Sequence, residues 1–128
     1  MKINKKELTI EGLQEEYYFL HITDTHAGRE NLTRDGISAA ERLKEYVEYA
    51  NEERLSGVLL TGDIIDNPAP ENLTLLKMQL EALQVPYLYI PGNHDWAFAD
   101  DYHTDAAIRR DWPLLQPFCR GEETFQVK

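Results

Sequence analysis

The sequence predicts an α/β protein built on a parallel sheet, and three observations carry that expectation. Three short apolar runs, Tyr17–Thr23, Gly57–Thr61 and Pro86–Ile90, are continuous rather than alternating, the pattern of strands covered on both faces. Two stretches of helical periodicity separate them, so each pair of strands is joined by a crossover connection. The length of 128 residues, 42% of them hydrophobic and 28% charged, suits a single domain with its own core.

Taken in order, Leu8-Thr9-Ile10-Glu11 alternates and predicts an outer strand before a turn at Gly12. The first apolar run follows. Ser38, with Glu41 three residues on, has the signature of a capping box. The helix it opens carries Leu43, Val47 and Ala50 on one stripe with Tyr46 beside it, and Gly57 punctuates the exit. After the second run, Pro70 suits a first helical turn, and Leu73, Leu76, Leu80 and Leu83 recur at helical spacing until Pro86 closes the segment. Beyond Gly92 the chain turns polar. A short helix is expected over Asp105–Trp112, ended by Pro113, and a further strand over Glu122–Lys128. No repeat, low-complexity tract or linker divides residues 1–128.

Composition narrows the function. The 13 Lys+Arg against 23 Asp+Glu give a net charge of −10, which repels a phosphate backbone and excludes a basic nucleic-acid module as the default. No apolar run approaches the roughly 20 residues of a membrane-spanning helix, and the basic N-terminus has no apolar stretch behind it to make a signal peptide. Cys119 is the single cysteine, so there is no internal disulfide or Cys-rich zinc module, and a reducing, cytoplasmic setting is expected.

The chemistry sits at the strand ends. The first run ends in Asp24-Thr25-His26, the second in Gly62-Asp63-Ile64-Ile65-Asp66, the third in Gly92-Asn93-His94-Asp95. Ligands of open α/β sheets bind outside the carboxyl ends of the strands, so these loops are expected to converge. Asp, His and Asn offer oxygen and imidazole donors without thiolate, which suits Mn²⁺, Fe or Zn²⁺. Asp24 and His26, two residues apart, can chelate one ion. Asp63 suits a carboxylate bridging two ions, and Asn93 supplies an amide oxygen without further negative charge. Paired metals about 3.5–4 Å apart activate water and stabilise in-line displacement at phosphorus.

These motifs, D-x-H, G-D-x-x-D and G-N-H-[DE] in that order after strands, closely resemble the calcineurin-like metallophosphoesterase superfamily. The resemblance runs from about Phe19 to Asp95 and implies that family's sandwich fold and a dinuclear centre hydrolysing phosphomonoesters or phosphodiesters. It implies that Asp24 and His26 bind the first metal, that Asp63 bridges, and that Asn93 binds the second. It makes His94 the catalytic histidine, with Asp95 orienting its imidazole, and Asp66 a supporting carboxylate rather than a ligand. The expected substrate is a small phosphate ester or nucleotide.

The same resemblance implies a further isolated histidine and a G-H-x-H motif, and neither is present; after His94 the remaining histidine is His103. The chain therefore reads as the N-terminal portion of the domain, residues 1–128 forming an incomplete βαβαβ half. It is expected to hold at most one of the two metals firmly, and either a missing C-terminal half or dimerisation would cover its exposed sheet edge. The alternative is a non-catalytic fragment, a metal- or partner-binding module with a half-built site. A nucleophilic-aspartate phosphatase would need D-x-D where Asp24-Thr25-His26 stands, and neither G-x-G-x-x-G nor a P-loop occurs.

The remaining candidates have plainer readings. His21 is expected in or near the core, Arg29 in a surface ion pair before a phosphate contact, and His103 in a solvated loop. Trp96, Phe98 and Trp112 are expected to pack at the sheet edge. Asp100, Asp101 and Asp105 lack the spacing of a calcium loop, and Cys119 reads as a small buried residue.

Overall fold

The computed structural model describes residues 3–28, 35–98, 106, 109–110, 113 and 115–118. Its elements run β1 (Phe19–Ile22), α1 (Ala39–Glu52), β2 (Gly57–Leu60), α2 (Pro70–Ala82), β3 (Tyr87–Tyr89), a single turn α3 (Asn93–Trp96) and a 3₁₀ turn at Gln116–Phe118. The strands form one parallel sheet in the order β1-β2-β3. Both crossovers step the same way, so their common hand sets α1 and α2 on one face of the sheet, where they touch. No helix among the described residues is long and apolar enough to cross a membrane.

Register explains the core. Leu20, Val58 and Tyr87 share one row, and Ile22, Leu60 and Tyr89 the next. These rows meet Leu43 and Ala50 of α1 and Leu76 and Leu80 of α2 in one cluster. The intervening row, His21, Leu59 and Leu88, points to the opposite face. Among the described residues that face lacks the cover expected from the continuous apolar runs: Phe19 is 45% exposed and Ile90 55%. Apolar composition marked the strands correctly, but a single layer of helices covers one side of the sheet. His21 consequently lies exposed rather than in the core, its Nε2 2.7 Å from Thr61 Oγ1.

α1 begins as expected. Ser38 Oγ accepts from the Glu41 amide at 3.1 Å, and the Glu41 carboxylate accepts from the Ser38 amide. Its exit differs. Leu55 N–H donates to the Ala50 carbonyl and Arg54 N–H to that of Asn51, a Schellman closure with Arg54 at the left-handed position, φ 50°. Gly57 instead opens β2. An L-residue there costs about 1–2 kcal/mol, and glycine's greater unfolded freedom offsets about half of that. Arg54→Gly is therefore expected to stabilise the fold by about 0.5–1 kcal/mol in denaturant unfolding. A loss of stability would mean that the Arg54 side chain contributes more than its backbone costs.

Pro70 takes the first position of α2, as its missing N–H allows. Asn51 of α1 ties the far ends of the helices together, donating to the Ala82 carbonyl at 2.9 Å and accepting from Gln84 N–H at 2.8 Å. The outer strand expected at Leu8–Glu11 does not form. The segment lacks strand pairing, leaves Leu8 86% exposed and ends in the turn at Gly12. Alternation without a partner strand to accept its hydrogen bonds is not enough. Near the end, Ala106, Arg109 and Arg110 are helical as expected, but so are Pro113 and Leu115. Pro113 thus sits in helical backbone itself, and Leu115 joins the core. The expected strand at Glu122–Lys128, and Arg29, Asp100, Asp101, His103, Asp105, Trp112 and Cys119, lie outside the described residues.

Candidate metal centre

The loops after β1 and β2 stay zipped past the ends of their strands. Thr61 N–H donates to Ile22, Asp24 N–H to Gly62, His26 N–H to Asp63 and Ala27 N–H to Ile64, all between 2.8 and 3.0 Å, and Asp66 N–H returns to Ala27 at 3.0 Å. Thr25 Oγ1 adds a bond to the Ile64 carbonyl at 2.6 Å. This continuation sets Asp24 and His26 beside Asp63. All three adopt left-handed backbone, with φ of 53°, 47° and 51°. Among the described residues only Arg54 shares that feature without being glycine. Strain of this kind persists where the surrounding structure enforces it, and it concentrates at functional sites.

The third loop is brought in by two glycines. A Cβ on Gly62 would stand 2.8 Å from the Gly92 nitrogen, and one on Gly92 would stand 2.3 Å from Asp63 Oδ1. The glycines let two loops approach each other. The result is a bond from His94 N–H to Asp63 Oδ1 at 3.0 Å.

Side-chain geometry then builds two overlapping groups. Donor atoms of Asp24, His26 and Asp63 lie within 4.8 Å of one another, as do those of His26, Asp66 and His94. Asp24 Oδ1 is 4.0 Å from His26 Nε2. On its other side, His26 Nδ1 meets Asp66 Oδ1 at 3.1 Å. A carboxylate accepts, so the proton belongs on Nδ1 and the Nε2 lone pair faces Asp24, an arrangement typical of metal-binding histidine. The His94 ring meets that of His26 edge to face, with centroids 4.5 Å apart. Two carboxylates and one imidazole lone pair around a common point fit a hard or borderline divalent cation. The second group is closed by hydrogen bonds, from His26 to the Asp66 carboxylate and from His94 to the Asp66 backbone carbonyl.

The resemblance assigned the orientation of His94 to Asp95, and the structure corrects this. His94 Nδ1 lies 2.7 Å from the backbone carbonyl of Asp66, with Asp66 Oδ1 at 3.7 Å. Asp95 is fully buried and turned inward, accepting from Ile65 N–H and Gly92 N–H, each at 2.9 Å. Burial pushes the Asp95 carboxyl above its ordinary range, and the Asp63 charge adds to this. The two amides and the Tyr89 hydroxyl pull it back. Asp95 thus holds the turn that carries Asn93 and His94. Asn93 opens that turn, half-buried, directly before His94. Trp96 packs on the core, and Phe98 is 40% exposed with the Arg110 guanidinium 6.0 Å from its ring centroid.

Sequence reasoning also missed Thr25 and the Asp66 carbonyl. The Thr-Asp-Thr-His run offered a signal for the first, since hydroxyls flanking a strand end commonly bond to backbone. A carbonyl carries no sequence signal.

Comparison with known proteins gives the family and the fold. The family model described as calcineurin-like phosphoesterase matches residues 17–126. The chain is 37% identical over 83 residues to a 3′,5′-cyclic-nucleotide phosphodiesterase of Nostoc sp., covering 62% of this chain and 31% of that one. It is 37% identical over 78 residues to a glycerophosphodiester phosphodiesterase of Enterobacter lignolyticus, covering 59% and 28%. It is 29% identical over 83 residues to the DNA double-strand break repair protein Mre11 of Sulfurisphaera tokodaii, covering 59% and 21%. A dimetal phosphatase from Danio rerio superposes with a TM-score of 0.51 at 24% identity, over 62% of this chain and 30% of that chain, a likeness of fold. The chain spans no more than about a third of the length of these relatives.

Proposed function

The chain belongs to the calcineurin-like phosphoesterase family, a family of hydrolases, and on that premise we propose that it serves metal-dependent hydrolysis of a small phosphodiester, cleaving one P–O ester bond with water. The convergence of Asp24, His26 and Asp63 donor atoms within 4.8 Å carries this reading. Asp24, His26 and Asp63 would hold a first divalent ion, and Asp63 with Asn93 a second. When bound, such ions stabilise negative charge on the phosphoryl oxygens and lower the pKa of water.

The protein's own groups do the rest. The Asp66 carboxylate keeps the His26 proton on Nδ1. The His94 amide holds one oxygen of Asp63 in place. The Asp66 carbonyl holds one His94 proton on Nδ1, so it is Nε2 that takes up the second proton and, from the doubly protonated ring, gives it to the departing oxygen as general acid. Asp95 keeps the turn bearing Asn93 and His94 against the Gly62–Asp63 loop.

Two observations favour a small diester. The two relatives at 37% identity are named as phosphodiesterases of cyclic nucleotides and of glycerophosphodiesters, and the net charge of −10 opposes a polynucleotide. The single cysteine accords with a cytoplasmic enzyme. The chain lacks the G-H-x-H motif that the resemblance implies and spans about a third of its relatives, so the residues present supply one side of the centre. That same lack supports a second reading, a module that holds metal without turnover.

Metal analysis and an assay of aryl phosphate mono- and diesters with added Mn²⁺, Zn²⁺ or Fe²⁺ test both readings. The expected result is about one ion per chain and weak turnover favouring the diester. Full two-metal activity from these residues alone would overturn the shared-site reading, and metal binding with no turnover under any ion would favour the module.

A further inference from the structure

We infer that Thr23 selects which oxygen of Asp24 faces the metal; the inference rests on the metal-site reading above. Each neighbouring candidate ligand has one of its polar atoms tied by a hydrogen bond. His26 is held at Nδ1 by Asp66, and Asp63 is held at Oδ1 by the His94 amide. Asp24 has a different problem. Its side chain is 63% exposed, so packing does little to fix its rotamer. Its two oxygens are chemically equivalent until something distinguishes them.

Thr23 makes the distinction. Its Oγ1 donates to Asp24 Oδ2 at 2.6 Å, a short bond to an ionised acceptor. Oδ1 is then the oxygen 4.0 Å from His26 Nε2. Thr23 is itself exposed, so the bond to Asp24 Oδ2, rather than packing, orients its hydroxyl. Occupying Oδ2 biases Asp24 towards donation through one oxygen and orders the carboxylate before the ion arrives. Thr23 is thus a positioning residue acting through Asp24. Groups that orient metal ligands from outside typically change affinity by about 10- to 100-fold when removed.

Mn²⁺ titration followed by the paramagnetic resonance of the free aqua ion tests this. Thr23→Val removes the hydroxyl and keeps the branched shape, and Thr23→Ser keeps the hydroxyl. The expected result is Mn²⁺ affinity about 10- to 100-fold weaker in T23V, restored in T23S, with the metal-free unfolding midpoint of both close to the parent. Equal affinity in T23V and the parent overturns the inference, as does a loss in T23S matching that in T23V. Should T23V fail to fold, Thr23→Ala is read against the same two outcomes. Asp24→Ala separates the levels. If it abolishes binding while T23V leaves binding intact, the Thr23 role alone is wrong. If Asp24→Ala binds Mn²⁺ like the parent, or the parent does not bind at all, the metal-site reading falls and the Thr23 role with it.

Discussion

Asp63→Asn is expected to eliminate measurable phosphoesterase turnover and to weaken divalent-metal binding by more than about 100-fold, beyond the range seen when only a supporting group is lost. The substitution is nearly isosteric and leaves an oxygen to accept the His94 amide, which now bonds Asp63 Oδ1 at 3.0 Å. The loop should therefore keep its course, and the metal-free unfolding midpoint should change little. What disappears is the negative charge between the two proposed ions and half of the donor capacity there. Metal titration together with diester hydrolysis checks the result. Unchanged turnover would show that Asp63 does not bridge.

Asp95→Ala is expected to destabilise the chain by about 2–5 kcal/mol, because the buried Ile65 amide and the part-buried Gly92 amide lose their acceptors together. The expectation carries a pH signature. Burial raises the folded-state carboxyl above its ordinary 3.8, so the native state holds this proton more tightly than the unfolded state. The resulting contribution is complete at low pH and is lost as pH rises through the raised value. The stability difference between parent and variant should accordingly widen as pH falls from neutrality through that window. Urea unfolding at several pH values reads it directly, and a difference that narrows on acidification would show that Asp95 gains more from its hydrogen bonds than it loses to burial.

Asp95 also marks where sequence reasoning stopped. His94 and Asp95 are chain neighbours, and their adjacency invited a direct pairing. In the helical turn Asn93–Trp96, however, successive residues point about 100° apart and do not face each other. Asp95 therefore turns to the interior while His94 meets the loop of Asp66. The meeting of the three loops was legible, because parallel βα units deliver strand ends to one edge. The helix starts were legible for a similarly local reason, with Ser38 and Glu41 closing a capping box and Pro70 fitting a first turn. Arg54 was not, since a left-handed residue other than glycine leaves no compositional trace. Nor was the exposure of Phe19 and Ile90, because an apolar run records what a strand can bury rather than what arrives to cover it.

The ladder that outlasts its strands has a consequence for the energetics of metal uptake. Asp24, His26, Ala27 and Asp66 all have their amides engaged before any ion is present, so the amide protons of this region should exchange slowly in the metal-free protein. A cation entering such a site has little chain left to order, and its binding free energy goes into affinity rather than into folding the loops. The centre is preorganised by its backbone, and the strained conformations of Asp24, His26 and Asp63 are a cost already met when the sheet forms.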